Sequence, residues 1–279
     1  MSDDNTKPKP GSPEWAEEMQ RLSREREAAK EAAKIVYLPA WPEMRRASPN
    51  EIVRSALFNV RNRNVKRRDF KDEPIAVFGD ATITYRGEEL RQDDLDVWLQ
   101  LLHLARQQPL GEWVEFTAYG MLKALGWPNT GPNYQRLRAC LSRLQATALR
   151  IQSRRLGRWM ILSLVKECRR TDENGQSGRW RVQVCKEMCQ LFAEPFCTLL
   201  GWDQRKTLGP LAKWLHAFYA SHAEPYPLKT TTIQAACGSD TQSTRKFRQL
   251  LKAALDELKT VGFLKNWWVM KELVYVERA

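Results

Sequence analysis

"VEFTAYGMLKALGWPNTGPNYQRLRACLSRLQATA" (residues 114–148) contains two amphipathic segments with a turn between them. The first, 114–126, reads as a short helix closed by Gly126, the residue type that best tolerates the left-handed backbone at a helix C-terminus. The turn "WPNTGPN" breaks the pattern with two prolines and a glycine. Beyond it, Tyr134, Leu137, Leu141, Leu144 and Ala148 recur at steps of three and four, the inward stripe of a second helix. Gln135, Arg136, Arg138, Ser142 and Arg143 fall on its other side. "LRIQSRRLGRWMILSLV" (149–165) then alternates on both sides of Arg154–Gly157, the pattern of two strands joined by a basic turn. Helix, turn, basic helix and basic hairpin, in that order, make a winged helix-turn-helix.

The same order recurs near the C-terminus. "LGPLAKWLHAFYASHAE" supplies a supporting helix and "KTTTIQAACG" a short helix closed by Gly238. In "CGSDTQSTRKFRQLLKAALDEL" (237–258), Phe247, Leu250, Leu251, Ala254, Leu255 and Leu258 form an apolar stripe. Gln242, Arg245, Lys246, Arg248 and Lys252 lie on the opposite side, and Ser239-Asp240-Thr241-Gln242 has the form of a capping box. "GFLKNWWVMKELVYVER" supplies the hairpin, with Lys265–Asn266 as its basic turn. The two long helices share a leucine spacing, Leu137, Leu141, Leu144 and Leu251, Leu255, Leu258. The expected fold is α+β, with two tandem winged helix-turn-helix domains and a flexible helical N-terminal extension.

Composition sets the class of partner. The chain has 279 residues, 43% hydrophobic, with a formal charge of +12. Between Gly131 and Lys186 there are 13 Lys/Arg against 3 Asp/Glu, whereas residues 1–34 hold 7 basic and 8 acidic side chains. Charge concentrated on one stretch suits a polyanion. No apolar run approaches the ~18 residues of a membrane span, and the start lacks a signal-peptide core, which together predict a cytoplasmic protein. The six cysteines form no C-x-x-C pair and lie apart from the three histidines, so they read as reduced thiols without zinc.

The organisation expected from these shifts is a charged, mobile segment over 1–34, a short linear motif over 35–43, a first domain over 44–186 and a second over 187–279. Within the first, "NEIVRSALFNV" (50–60) reads as a helix with Ile52, Ala56 and Phe58 inward. "IAVFGDATITYRG" reads as a hairpin about Gly79-Asp80, and "EELRQDDLDVWLQLLHLARQ" as a helix that packs Leu90, Leu95, Trp98, Leu99, Leu102 and His103.

The B-DNA major groove is ~12 Å wide and admits one helix, which a helix-turn-helix presents. Arg and Lys can bond guanine, Gln adenine, and Ser or Thr either base or phosphate. The expected contacts are Gln135, Arg136, Arg138, Arg143, Arg154 and Arg155 from the first unit, mostly to phosphate, and Gln242, Arg245, Lys246, Arg248 and Lys252 from the second. Phosphate-loop and dinucleotide glycine patterns are missing, and the acidic pairs Asp93-Asp94 and Asp172-Glu173 read as solvated. No enzyme, cofactor or metal site is expected.

Three stretches carry a resemblance: "IVYLPAWPEMRRASPNEIVRSALFNVRNRN" (35–64), "DLDVWLQLLHLARQQPLGEWVEFTAYGMLKALGW" (94–127) and the C-terminal unit. Over about residues 35–276 the chain resembles the TrfA family of plasmid replication initiators. The resemblance implies a bacterial, non-enzymatic protein that binds direct repeats (iterons) at an origin, helps open the adjacent AT-rich duplex, and recruits host helicase, host initiator and sliding clamp. It also implies monomers and dimers, the dimer serving copy control. A winged-helix transcriptional regulator is the alternative. In "IVYLPAWPE" (35–43), Leu38 and Trp41 occupy the anchor positions of a clamp-binding peptide, although Tyr37 and Ala40 depart from its pattern. The same stretch equally reads as an apolar arm packed on the first domain.

Overall fold

The computed structural model describes residues 12, 13, 15, 17–24, 36–171, 179–192 and 196–279, with 17–24 helical. The expectations for Ile35, for Asp172-Glu173 and for most of the charged N-terminal segment lie outside these residues. In the first half the elements are β1 (Arg45–Pro49), α1 (Asn50–Val53), β2 (Phe58–Asn59), β3 (Asp69–Ile75), β4 (Thr82–Glu88), β5 (Leu90–Arg91) and α2 (Gln92–Ala105). There follow β6 (Trp113–Thr117), α3 (Ala118–Leu125), α4 (Gly131–Gln145), β7 (Ala148–Gln152), β8 (Met160–Leu162), β9 (Glu167–Thr171) and β10 (Arg179–Gln183). A 3-10 helix (Lys186–Phe192) and β11 (Cys197–Gly201) lead to α5 (Trp202–Thr207), α6 (Pro210–Ala220), β12 (Leu228–Lys229), α7 (Thr230–Ala236), α8 (Thr244–Thr260), β13 (Leu264–Met270) and β14 (Leu273–Arg278). Helices and strands are mixed, an α+β arrangement.

Local chemistry sets the helix ends. The Thr117 hydroxyl accepts from the Gly120 amide at 3.0 Å to start α3, and Gly126, at φ 69°, ends it. Pro132 stands in the first turn of α4, where its missing N–H costs nothing. In the second half Ser243, not Ser239, caps α8 by accepting from the Lys246 amide. Gln242 therefore precedes the helix. Gly238, at φ 64°, separates α7 from this start, and a Cβ there would come within 2.8 Å of the Asn59 Cβ.

The two halves repeat one topology. Strand β6 pairs with β10, and β10 with β9, all antiparallel. Strand β12 pairs with β14, and β14 with β13, in the same order. In each half a strand leads into two helices and then pairs with the later strand of an antiparallel pair that follows them. The expected hairpin 149–165 does form, from Leu149↔Leu162 to Ile151↔Met160. It is not the one beside α4, however, because β7 pairs on its other edge with β4 in a four-stranded sheet, β3-β4-β7-β8. Leu149 and Ile151 thereby face the same core as Ile83 and Tyr85. In the second half the turn is Lys271–Glu272, and Lys265–Asn266 lie within β13.

Two further differences follow from tertiary packing. Residues 50–60 are helical only over Asn50–Val53, after which β2 pairs parallel with β5 and still buries Phe58. Leu250 is 46% exposed, and the buried stripe of α8 is Phe247, Leu251, Ala254, Leu255 and Leu258. Apolar side chains from Leu38 to Trp202 share one core, and those from Leu208 to Val274 form another, except that Ala217 of α6 packs into the first and Val60 and Phe78 pack against the second. The cores divide between 202 and 208, so residues 187–202 pack with the first half. The six cysteines are free, with Cys140 and Cys237 buried and four others half-buried.

The halves meet through a polar seam. The Arg205 side chain is fully buried and donates to Asp96 Oδ1 (2.8 Å), Gln92 Oε1 (2.9 Å) and the Lys213 carbonyl (2.9 Å). Lys213 also pairs with Asp96 Oδ2. The Trp214 indole donates to the Ser55 carbonyl at 3.0 Å, and Arg54 bonds Ser221. Among the described residues no helix is long and apolar enough to cross a membrane.

Candidate nucleic-acid interface

Burial of the α8 stripe leaves a cationic face outward. Arg245, Lys246, Arg248 and Lys252 are all exposed. The Gln242 amide, ahead of the helix, donates to the Asp240 carbonyl at 3.4 Å, and Asp240 pairs with Arg61 at 3.2 Å. Arg248 pairs with Glu272, which ties the helix to the β13–β14 turn. Between helix and hairpin lies an open cleft of about 330 Å³, lined by Arg248, Lys252, Val269 and Glu272.

A matching cleft of about 200 Å³ lies between α4 and β9–β10, lined by Tyr119, Tyr134, Arg138, Arg170 and Trp180. The shared leucine spacing puts Arg138, one residue after Leu137, where Lys252 follows Leu251. Gln135, Arg136 and Arg138 are exposed. Arg136 lies over the Trp127 ring at 4.0 Å and bonds Asp93 at 3.2 Å. β9 and β10 contribute Arg169, Arg170, Arg179 and Arg181, four cations beyond those expected from the helices and the 149–165 hairpin. The arginine spacing in "ECRRT" and "RWRVQ" was the available signal.

Two expected phosphate contacts turn out to be internal. Arg143, with a side chain only 10% exposed, bonds Asp94 at 2.8 Å. Arg155 donates to Glu51 Oε1 at 2.6 Å and to the Gln190 carbonyl at 2.6 Å. Arg154 is exposed at the β7–β8 turn, away from the cleft, with its amide on Asp80. The Asp93-Asp94 pair is not solvated: Asp94 is fully buried and bonds both Arg67 (2.7 Å) and Arg143. Burial works against the charged form of Arg143, but Asp94 beside it prevails and holds its pKa above the ordinary value. Burial likewise opposes the ionised Asp93, yet Arg67, Arg136 and Arg143 hold it below its usual range. Asp93, Asp94 and Cys140 offer ligand atoms within 4.8 Å of one another. The carboxylates there are already neutralised by guanidinium groups, and burial pushes the Cys140 thiol well up, so the cluster is an ion-pair network and not a metal site.

The 36–43 segment is a packed arm. Leu38 is 4% and Trp41 7% exposed, both within the first core. Trp41 stacks on Phe192, with centroids 6.1 Å apart. An indole only donates, so its Nε1–H gives a bond to His103 Nδ1 (3.1 Å), and His103 Nε2–H donates to Glu43 (2.9 Å). His103 is thus neutral, and burial lowers its pKa although Glu43 opposes this. Bonds from His103 and Arg106 hold Glu43 at about 2, so it stays ionised above acidic pH. Because the folded His103 pKa is below the unfolded ~6.5, the unfolded state binds more protons. The arm's stabilisation is whole above ~6.5 and is lost as pH falls below it. Deuterium uptake over residues 36–44, corrected for intrinsic exchange, is expected to rise across that window in the native chain and to stay flat in His103→Gln. Equal profiles would show that His103 does not hold the arm.

The family described as TrfA protein matches residues 17–278. A curated relative, the plasmid replication initiator protein TrfA of Escherichia coli, is 39% identical over 240 residues, which is 85% of this chain and 63% of the relative. The chain therefore spans less than two thirds of that relative's length. A crystal structure of domains 2 and 3 of RctB is similar with a TM-score of 0.57 at 13% identity, covering 83% of this chain and 98% of that one. A second RctB domain 2–3 structure gives 0.56 at 13% identity, with 79% and 95% covered. At that identity the likeness shows a shared fold alone.

Proposed function

The chain belongs to the TrfA family, and from that premise we propose that it is a non-enzymatic initiator of plasmid replication that binds double-stranded origin DNA through two winged helices in the bacterial cytoplasm. The observation that carries this is the repeated unit: a strand, a helix–turn–helix and a hairpin, with an exposed cation, Arg138 or Lys252, at the same place beside each cleft. Each second helix can enter a major groove while its hairpin meets the flanking backbone. The contact set is Gln135, Arg136, Arg138 and Arg170 in the first unit, and Arg245, Lys246, Arg248 and Lys252 in the second. Tandem, non-identical units suit direct repeats, whereas a palindrome mirrors a two-fold dimer. Opening of the adjacent duplex, recruitment of host helicase and initiator, and monomer–dimer exchange follow from the family and belong to this proposal. Clamp docking through Leu38 and Trp41 requires the arm to leave its seat, so the packed conformation supports no clamp contact.

Footprinting of the purified chain on its own plasmid's origin region tests the proposal. Protection of direct repeats supports it, and protection of a single palindrome at the protein's own promoter supports a transcriptional regulator instead. Arg245→Ala is expected to weaken binding to the protected repeat by ~1–3 kcal/mol and to relax preference at one base pair. Unchanged affinity would remove Arg245 from the contact set.

A further inference from the structure

The β13–β14 turn breaks a local rule. Lys271 and Glu272 both have positive φ, 49° and 69°, and Met270 pairs with Leu273 across them. A two-residue hairpin of this kind favours Asn-Gly, because side chains with a Cβ are strained there. Both positions instead carry long charged side chains. What Glu272 gains from its position is Arg248: the carboxylate accepts from Nη2 across the cleft. Both groups are exposed, with side-chain exposures of 48% for Arg248 and 66% for Glu272. Exposed ion pairs add little to stability, so the pair does not repay the strain of the turn. Strain that stability does not repay is characteristic of functional sites.

We infer that Glu272 is a specificity-determining positioning residue that aims Arg248 at a guanine edge in the major groove. This rests on α8 being the groove-entering helix. A free arginine side chain has many rotamers and pairs with any phosphate. Held by Glu272 through one Nη2 proton, the guanidinium keeps its second Nη2 proton and its Nη1 protons for O6 and N7 of a guanine. The same carboxylate repels phosphate near the cleft, so it penalises duplex in the wrong register. Lys246 and Lys252, elsewhere on α8, have no such carboxylate among the described residues and supply the sequence-independent attraction. Besides Arg248, Lys252 and Glu272, the cleft is lined by the apolar Leu251, Leu255 and Val269 and by Thr230, so Glu272 is the one carboxylate there.

The test uses the full chain with two duplexes of equal length, one carrying a protected origin repeat and one with its base order scrambled. Glu272→Gln is expected to lower the ratio of repeat to scrambled affinity about tenfold. The loss should concentrate at one G·C pair in a base-substitution series. Affinity for the scrambled duplex should rise, because the freed Arg248 joins the phosphate contacts and steepens the salt slope by ~0.9. Arg248→Ala and the double variant should discriminate equally, since Glu272 acts through Arg248. Glu272→Gly, which suits the positive φ, should raise the unfolding temperature while losing discrimination. An equal change on both duplexes, or a double variant less discriminating than Arg248→Ala, overturns the inference and leaves the DNA-binding proposal standing. A native chain that does not distinguish the duplexes overturns the proposal and the inference together.

Discussion

Asp96→Ala is expected to destabilise the protein by about 3–5 kcal/mol, read as a lowered urea midpoint. The change strands Arg205, whose side chain has no exposed surface and whose remaining partners, Gln92 and the Lys213 carbonyl, are neutral. A buried cation without its anion bears the desolvation cost uncompensated. Burial already lowers the pKa of Arg205, with Asp96 opposing that shift. Arg205→Ala should cost less, because Asp96 keeps Lys213, itself able to reach solvent at 14% exposure. The asymmetry identifies which partner compensates the other. The double variant Arg205→Met/Asp96→Leu should recover most of the loss, since apolar groups of similar size can replace a buried pair. Asp96 lies on α2 and Arg205 on α5, so the same measurements test whether the two halves unfold as one unit. One transition in the native chain and two in Asp96→Ala would show that this seam couples the halves. Equal and small effects of both single changes would exclude the pair as a determinant of stability.

What could be read from the sequence was what is local. The faces of α2, α4 and α8 follow from a 3.6-residue period, and Leu95, Trp98, Leu99, Leu102, His103, Leu137, Leu141, Leu144, Phe247, Leu251, Leu255 and Leu258 are buried as that period requires. The glycines after α3 and α7 have the positive φ expected of them. Partnership between distant strands was not legible. Alternation marks a strand but does not choose its neighbour, so the sequence alone puts the β7–β8 hairpin beside α4, whereas the other edge of β7 pairs with β4.

The same limit governs the candidate site. An arginine on the outward arc of a helix reads as a contact for a ligand unless its carboxylate is known, and those carboxylates are far away in sequence. Asp94 is 49 residues from Arg143, and Glu51 is 104 from Arg155. Asp93-Asp94 read as solvated for the mirror reason, since burial of two adjacent carboxylates requires the guanidinium groups that only the fold brings to them. The packed arm was one of two open readings, and His103 is the residue that makes it a seat for Trp41.

Separating internal arginines from outward ones leads to a quantitative expectation for DNA affinity. Each phosphate neutralised contributes ~0.9 to the slope of log K against log salt. With Arg143 and Arg155 engaged inside the fold, roughly six phosphates remain for the two helices and hairpins to contact, giving a slope near −5.4. Raising salt from about 50 to 200 mM changes log salt by ~0.6, so affinity should fall about 10³-fold, toward the lower end of what the full arginine count implies. Single changes distinguish the two groups. Arg138→Ala and Lys252→Ala should each flatten the slope by about 0.9 without altering the unfolding midpoint. Arg143→Ala and Arg155→Ala should leave the slope as it is and lower the midpoint, because the first leaves buried Asp94 with Arg67 as its remaining guanidinium partner and the second strands the buried Glu51 carboxylate. A flattened slope in Arg143→Ala would mean that its ion pair opens to meet DNA. A native slope near zero would mean that the cationic face of α8 and the arginines around α4 are solvated surface, and the nucleic-acid interface would have to be sought elsewhere on the chain.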